Sequence, residues 1–194
     1  MSASTDTDRL DPRLIRIGLV VVFGQAMFVL DQTIVTVAVE TLGRELDARV
    51  ATVQWVVTGY LLATAIVIPA SGWATDRFGA RRLFGLAVAL FAASSALCAA
   101  AWDIHSLIGF RLLQGVAGAL LLPVGMTILA RTAGPRRMGR MMSLIGIAIV
   151  LGPVLGPVLG GLIVDNLSWR WIFLVNLPVG ALSLVLIRLS LIHI

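Results

Sequence analysis

The sequence predicts an all-α membrane protein with six transmembrane helices, and two observations support that fold class. Hydrophobic residues make up 59% of the 194 residues and charged residues only 13%, whereas soluble proteins carry about 25% charged residues. The apolar runs are also long enough, because crossing a bilayer core takes about 20 residues at helical rise. Uninterrupted runs of this length exclude a barrel of transmembrane strands.

Six apolar segments reach this length. The two clearest, at 83–101 and 141–164, contain no charged residue. The predicted spans are 15–38, 53–72, 83–101, 106–130, 141–164 and 171–188. They form one transmembrane domain at 15–188, preceded by a polar tail at 1–14 that leads into the first span without a cleavable signal-peptide pattern.

The arginines predict the orientation of the domain. The chain contains no lysine, and most of its fifteen arginines flank the spans on one side of the predicted topology. By the positive-inside rule that side is cytoplasmic, so both ends of this segment are expected to be cytoplasmic in a bacterial cytoplasmic membrane. Orientation and anionic lipid account for these arginines, and the pattern therefore does not indicate a nucleic-acid partner.

Little in the chain points to catalysis. Cys98 is the only cysteine, which excludes an internal disulfide and a multi-cysteine metal site, and we expect it to be a packing residue. The two histidines and the absence of a G-x-S-x-G segment leave no nucleophile or ligand cluster. We therefore expect no enzyme, no metal and no cofactor.

After the arginines that set the orientation are accounted for, Asp31 and Arg111 are the two charged residues that remain inside the predicted spans. At 1.5 Å per residue, Asp31 lies about 22 Å from Arg16 and Arg111 about 9 Å from His105, which places both in the outer third of the membrane. A charge inside a span costs at least about 2.5 kcal/mol and normally finds a partner. We therefore expect Asp31 and Arg111 to pair.

Two interpretations of this pair stay open. The pair can simply hold the first and fourth helices together, or Asp31 can extend to the outer surface. Alternatively it is a proton or cation site, because burial favours a neutral carboxyl group while a nearby arginine favours a charged one. Gln114, one turn from Arg111, and Gln25 add polar groups to a mostly apolar cavity that would suit amphipathic molecules.

Several segments match a known family. LDQTIVTVAV at 30–39 resembles the first-helix signature L-D-x-T-I-V-N-V-A-L-P of the fourteen-helix drug:proton antiporters in the major facilitator superfamily, with Thr36 and Glu40 as departures. RLLQGVAGALLLP, which begins at Arg111, resembles the family's R-x-x-Q-G-x-G-A-A motif and includes Gln114 and Gly115. In related transporters that arginine is implicated in proton transfer.

The loop GWATDRFGARR at 72–82 resembles the superfamily pattern G-x-L-A-D-R-x-G-R-R-R. The resemblance implies a cytoplasmic latch between two transporter halves in the outward-open state. Gly72 is expected to permit close helix approach, Gly79 a tight turn, and Asp76 a switchable charge cluster with the arginines of the loop. Those arginines are Arg77, Arg81 and Arg82.

The fifth span carries GPVLGPVLGG, which is similar to the antiporter motif G-x-x-x-G-P-x-x-G-G. Its motif residues are Gly152, Pro153, Gly156, Pro157, Gly160 and Gly161. Glycines every four residues predict a groove for another helix, and the prolines are expected to bend the helix. The segment either serves helix packing alone or, as the resemblance implies, seals against leak and acts as a hinge.

SWRWIFLVNLPVG at 168–180 resembles the sixth-helix entry of the same family, with Trp169 and Trp171 expected at the outer interface. Six spans are half of a transporter built from two six-helix halves, each containing inverted three-helix repeats. The chain is thus identified as the N-terminal half of a major facilitator fold, with its site facing the missing C-terminal half.

The tail LSLIHI at 189–194 matches what a DNA-library adaptor would encode, and we expect it to be non-native. The alternative is a genuine half-size protein that works as a homodimer.

The resemblance implies proton-coupled efflux of amphipathic or cationic drugs by alternating access. The expected partners are the lipid bilayer, a small-molecule substrate, protons and the missing C-terminal half. Two other functions remain open: an exporter of the same fold for a specific metabolite or self-made antibiotic, and a non-transporting membrane receptor or assembly protein.

Overall fold

The computed structural model describes residues 12–191, and every regular element in that range is helical. The helices are α1 Pro12–Val37, α2 Val39–Glu45, α3 Val50–Val67, α4 Ser71–Phe78, α5 Ala80–Ala99, α6 Ile104–Asn166, α7 Trp171–Leu174 and α8 Asn176–Leu191, with a 3₁₀ turn at Ile68–Ala70. The two expected tails fall partly outside the described residues, because residues 1–11 and 192–194 are not among them.

Six helical segments of the described chain are long and apolar enough to cross a membrane. These first to sixth spans are Leu14–Val37, Val50–Phe78, Ala80–Ala99, Ile104–Gly134, Ile149–Asn166 and Trp171–Leu189. Their number agrees with the sequence prediction, and the all-α fold with six membrane helices is confirmed.

The fourth and fifth spans belong to one helix, α6, where the sequence predicted a loop at 131–140. Helical backbone geometry in α6 is interrupted only at Gly134, which has φ 67° and ψ 171°. A positive φ strains any residue with a Cβ atom, so a glycine is required at this break. The connection between the two spans is therefore helical at every residue except Gly134.

Contacts with the first span show that the fourth and fifth spans run in opposite directions. Four of the α6 glycines that contact the first span show this by the order of their partners. The pairs are Gly118 with Phe28, Gly125 with Val21, Gly152 with Val29 and Gly160 with Ile34. The first-span partner moves backward along the fourth span and forward along the fifth, so the chain reverses near Gly134.

Two apolar clusters fill the core at different depths. One contains Val21, Phe84 and Leu121 and lies toward the arginine-rich end of the bundle. The other contains Ile34 and Phe173 and lies toward the opposite end. The arginine-rich end carries Arg16, Arg77, Arg81, Arg82 and Arg131. In each span, the residues that lie between these two clusters therefore meet in the interior, between the two ends of the bundle.

Two features of the opposite end differ from the sequence prediction. The segment predicted as an outer loop contains α2, which forms because Leu42 packs completely into the second apolar cluster. Trp171 is half exposed, but Trp169 is only 3% exposed instead of lying at the interface. Its ring packs edge-on against Phe173, and the Arg170 guanidinium lies 4.5 Å from its ring centroid.

Asp103 caps the fourth span through a reciprocal pair of hydrogen bonds. The Ser106 backbone N–H donates to Asp103 Oδ1 at 2.7 Å, and the Asp103 N–H donates to Ser106 Oγ at 3.2 Å. The first of these bonds is the largest cause that lowers the pKa of Asp103 below its ordinary value.

This cap predicts a pH dependence. Because the folded pKa lies below the unfolded value, the cap stabilises the folded state fully above the unfolded pKa and is lost as the pH falls through the folded pKa. We expect the protection factors for hydrogen exchange at the start of α6, which are corrected for the intrinsic exchange rate at each pH, to fall at acidic pH in the native protein. Asp103→Asn, which caps without a titrating group, should remove that dependence; an unchanged pH profile in the variant would contradict the assignment.

Candidate functional site

Asp31 and Arg111 form an ion pair that is buried in the interior of the bundle. Arg111 Nη1 donates to Asp31 Oδ2 at 2.6 Å, and the two side chains are 1% and 0% exposed. The pairing predicted from their equal depths is therefore present. Helix periodicity places Gln114 on the same face of the fourth span as Arg111.

Two amide side chains complete the hydrogen bonding of the carboxylate. Gln114 Nε2 donates to Asp31 Oδ1 at 3.1 Å, and Asn176 Nδ2 donates to the same oxygen at 3.0 Å. With Arg111, the carboxylate accepts hydrogen bonds from three side chains on the fourth and sixth spans. An ionised carboxylate has only acceptor sites, whereas the protonated form carries one O–H donor, so an environment of three donors fits the charged form of Asp31.

A second layer of polar groups orients the two amides. Ser95 Oγ accepts from Gln114 Nε2 at 2.6 Å and from Asn176 Nδ2 at 3.1 Å. Gln114 Oε1 accepts from Arg111 Nη1 at 2.6 Å and from Cys98 Sγ at 3.6 Å. The third span therefore fixes the donors that face Asp31, and Cys98 contributes to this network as well as to packing.

The second span holds the Arg111 side chain from the other side. Arg111 Nε donates to the Val56 carbonyl oxygen at 3.2 Å. The guanidinium carbon lies 4.0 Å from the centroid of the Tyr60 ring and 5.8 Å from that of Phe173. A desolvated cation over an aromatic face is attracted by the ring quadrupole, so the arginine is stabilised in one position.

The sequence prediction missed three members of this site: Tyr60, Ser95 and Asn176. Tyr60 is the only tyrosine of the chain, and Asn176 is an uncharged polar residue within the predicted sixth span. Their only sequence signal is an amide or hydroxyl group within a predicted span, and that signal does not distinguish them from other polar residues of the spans. Gln25 is also buried, but it makes no hydrogen bond with this cluster.

The site is not exposed on the surface of the six-helix unit, where the sequence analysis expected it to face the missing C-terminal half. Asp31, Arg111 and Gln114 are each at most 1% exposed within these six spans alone. Five of the six spans surround the pair, because burying a charged pair without loss requires donors and acceptors on all sides. A surface of the bundle would leave some of those bonds unmade.

The loop between the second and third spans differs in part from the prediction. Gly79 has φ 81°, as a tight turn requires, but within the described residues no neighbouring helix lies within 4 Å of a Cβ atom placed on Gly72, so its predicted close approach stays a prediction. Asp76 pairs with Arg131 at 3.6 Å. Among the described residues it forms no ion pair with the arginines predicted to surround it, Arg77, Arg81 and Arg82.

The arginines of this loop instead line an open cavity. Arg77, Arg81 and Arg82 share a space of about 710 Å³ with Arg131 and with Gly79. Because Arg131 lies at the end of the fourth span, its ion pair with Asp76 connects the second span to the fourth.

The predicted glycine groove of the fifth span packs against the first span. A Cβ atom on Gly152 would overlap Val29, and one on Gly156 would overlap the Thr33 side chain. Thr33 Oγ1 also donates to the Gly152 carbonyl oxygen at 3.4 Å. Gly160 lies against the backbone of Ile34, so all three glycines are needed for this contact.

The other residues of the motif behave differently from the prediction. No atom lies within 4 Å of a Cβ atom placed on Gly161. Pro153 and Pro157 are exposed on the far side of the groove, and the non-helical backbone of α6 occurs at Gly134 instead. The backbone dihedral angles at both prolines are helical, so the helix is not interrupted there, and the expected bend stays a prediction.

Fold and site together define an α-helical multi-pass membrane protein that is built around a buried, fully hydrogen-bonded ion pair. Residues 21–192 match the family described as Major Facilitator Superfamily. The chain belongs to that superfamily.

Curated relatives are similar over nearly the whole chain. A multidrug resistance protein B homolog of Mycobacterium tuberculosis is 52% identical over 179 residues, which are 92% of this chain and 33% of the relative. The multidrug export protein EmrB of Haemophilus influenzae is 39% identical over 174 residues, which are 90% of this chain and 34% of the relative. The chain thus spans about a third of the length of these relatives.

Solved structures share the fold at low sequence identity. The proton:xylose symporter XylE is 19% identical with a TM-score of 0.79, over 90% of this chain and 44% of the symporter. A bacterial homolog of the human lysosomal transporter Spinster is 17% identical with a TM-score of 0.72, over 96% of this chain and 44% of that one. These similarities show a major facilitator fold.

Proposed function

We propose that this chain is the N-terminal half of a proton-coupled efflux transporter for amphipathic or cationic drugs that works by alternating access. The observation that carries the proposal is the buried Asp31–Arg111 pair with its three donors. The names of the two relatives support drug export, and the coverage of about a third of their length supports a missing C-terminal part.

The geometry supports a coupling step at Asp31. Protonation removes the charge that pairs with Arg111 and turns one acceptor oxygen into a donor. Arg111, Gln114 and Asn176 must then find other partners, so the fourth and sixth spans shift relative to the first. A cationic substrate acts in the same way, because it competes with Arg111 for the carboxylate.

The arginine-rich end is the cytoplasmic end in this proposal, in a bacterial cytoplasmic membrane, with both ends of the described segment on that side. The Asp76 loop is the latch that closes this end. Its motif residues are Gly72, Asp76, Arg77, Gly79, Arg81 and Arg82. The glycine groove between the first and fifth spans supplies the tight seal and the hinge surface.

The latch predicts a charge-reversal result. Asp76→Arg places two arginines together and is expected to lower efflux several-fold, while the free energy of unfolding changes by at most about 1 kcal/mol, because exposed ion pairs contribute little. Combining it with Arg131→Asp should restore efflux. Efflux assays on the intact gene product that carries this chain measure both; a double variant that stays as slow as the single one would contradict the pairing.

The proposed function is tested with the intact gene product in proteoliposomes. A fluorescent lipophilic cation should move when a pH gradient is imposed and stop moving when a protonophore collapses the gradient. Transport of neutral metabolites in place of all lipophilic cations would favour a specific exporter. Ligand binding without any flux would favour a receptor and would contradict the proposal.

A further inference from the structure

The two amides that donate to Asp31 differ in whether they can turn over. Gln114 Oε1 accepts from Arg111 Nη1 at 2.6 Å, and a guanidinium has no acceptor atom to offer in exchange. This oxygen must therefore stay toward Arg111, which keeps Gln114 Nε2 toward the carboxyl group. In this packing Gln114 can only donate to Asp31.

The amide of Asn176 is not restricted in this way. Its Nδ2 donates to Asp31 Oδ1 at 3.0 Å and to Ser95 Oγ at 3.1 Å. A serine hydroxyl can donate as well as accept, because its hydrogen rotates to suit its partner. Ser95 can therefore pair with either the nitrogen or the oxygen of the amide. The charge state of Asp31 decides which of the two atoms faces the carboxyl group.

Protonation of Asp31 reverses what the carboxyl group requires from its surroundings. The proton is expected at Oδ1, because Oδ2 lies 2.6 Å from Arg111 Nη1. The new O–H group needs an acceptor, since a buried donor without one costs free energy. All three side chains that contact the carboxylate donate to it. None of them offers an acceptor while it keeps its present orientation.

A half-turn of the Asn176 amide about its Cβ–Cγ bond supplies that acceptor. A planar amide has nearly the same shape after its oxygen and nitrogen exchange places, so the turn needs no cavity although Asn176 is only 2% exposed. Oδ1 then accepts from the Asp31 O–H and from the Ser95 hydroxyl, while Ser95 Oγ still accepts from Gln114 Nε2. Two hydrogen bonds that Nδ2 made are thus replaced by two that Oδ1 receives.

We propose that Asn176 is the switching partner of the Asp31 proton, and that its amide turns from donor to acceptor each time Asp31 becomes neutral. The inference rests on the proposed function of Asp31 and adds the group that receives its O–H bond. Hydronium in the medium supplies the proton and leaves water when the intact transporter is open to it. The same O–H bond breaks when Asp31 releases the proton, and Asn176 is chemically unchanged.

The switch keeps the sixth span in contact with Asp31 in both charge states. Arg111 loses its counter-charge on protonation, whereas Asn176 only changes the atom that it presents. The movement proposed for the coupling step therefore begins at the fourth span, and the sixth span follows.

The titratable and charged groups around Asp31 come from three other spans. Arg111 lies on the fourth span, Tyr60 on the second beneath the guanidinium, and Cys98 on the third beside Gln114. From the described part of the sixth span, the side chain that contacts Asp31 is the uncharged Asn176. A pH-dependent signal must therefore be assigned to Asp31 by its loss when that residue is replaced.

The test follows the C=O stretch of protonated Asp31 by infrared difference spectroscopy between high and low pH, on the intact gene product. Loss of the band in Asp31→Asn assigns it. A carboxyl group whose O–H donates to an amide oxygen has a lower C=O frequency than one without an acceptor. We expect Asn176→Leu, which keeps the shape but has no acceptor, to move the band to higher frequency. Efflux driven by a pH gradient should slow by at least about tenfold, because a buried donor is left unpaired.

Two further variants on this chain and one conservative change serve as controls. Asn166→Leu makes the same change at an exposed residue whose amide donates to the Leu162 carbonyl oxygen of its own helix, and it should change neither the band nor efflux. Ser95→Ala should slow efflux but keep the band near its native frequency, because Asn176 Oδ1 is still present. Asn176→Gln, which keeps an amide, should also hold the band near that frequency.

The outcomes separate this inference from the proposed function. An Asp31 band at the native frequency in Asn176→Leu overturns the switch while leaving the proposed function intact. A shift in Asn176→Gln as large as that in Asn176→Leu also overturns it, in favour of a packing role, as does efflux at the native rate in both Asn176→Leu and Ser95→Ala. Absence of any Asp31 band in the native protein overturns both proposals.

Discussion

Asp31→Asn is expected to abolish efflux driven by a pH gradient. The variant keeps the shape of the side chain but removes the group that takes up the proton, and it leaves the Arg111 guanidinium buried without a counter-charge. Removing one partner of a buried ion pair costs about 3–5 kcal/mol, so the free energy of unfolding should fall as well. Dye efflux from proteoliposomes and thermal unfolding in detergent measure the two effects.

A double variant separates coupling from folding. Asp31→Asn with Arg111→Gln removes both charges and should recover part of the lost stability, because no buried charge is then left without a counter-charge. It should not recover efflux driven by the gradient. If it does, the pair serves only to hold the first and fourth spans together, and the proton site lies elsewhere in the intact protein.

Gly156→Leu is expected to separate the first and fifth spans and to lower the stability of the bundle. Even a Cβ atom at this position would overlap the Thr33 side chain, and a leucine must displace the whole contact. Overpacking of a well-packed interface costs about 1–3 kcal/mol. Transport should fall with it, because the same surface is the proposed hinge and seal.

Gly161→Leu is the matched control for this variant. It makes the same change five residues away on the same helix, where no atom lies within 4 Å of the added Cβ atom. Both variants gain the same helix propensity, so the difference between their unfolding temperatures reports the clash alone. Equal stability and equal transport in the two variants would show that the groove is not a packing surface.

The ion pair could be predicted from the sequence because the depth of each of its two residues in the membrane can be estimated from a separate marker residue at the end of its span. Asp31 is counted from Arg16 and Arg111 from His105, and the constant rise of a helix converts both counts into depth. The same arithmetic does not reveal Ser95 or Asn176. Their depths agree with that of Asp31, but serine and asparagine occur in spans for many reasons, and only the side-chain directions distinguish them.

The loop and the fifth span show why other features could not be predicted. Asp76 lies close in sequence to three arginines, yet its partner is Arg131, which the approach of two helix ends brings near. The sequence predicts a bend at the two prolines, and both lie on the exposed side of a helix whose glycine face packs against the first span. The helical geometry is interrupted at Gly134, whose backbone adopts a positive φ, and the pattern of side chains does not predict such an angle.

Gly134 has a mechanical consequence for how the two halves of α6 work together. The fourth span carries Arg111 and Gln114, and the fifth carries the groove that grips the first span. Because the helix continues up to Gly134 from both sides, no flexible loop separates the fourth span from the fifth. Along the backbone, the ion pair and the groove are therefore separated by one non-helical residue, and a change in the φ and ψ of Gly134 alone would change the angle between the fourth and fifth spans.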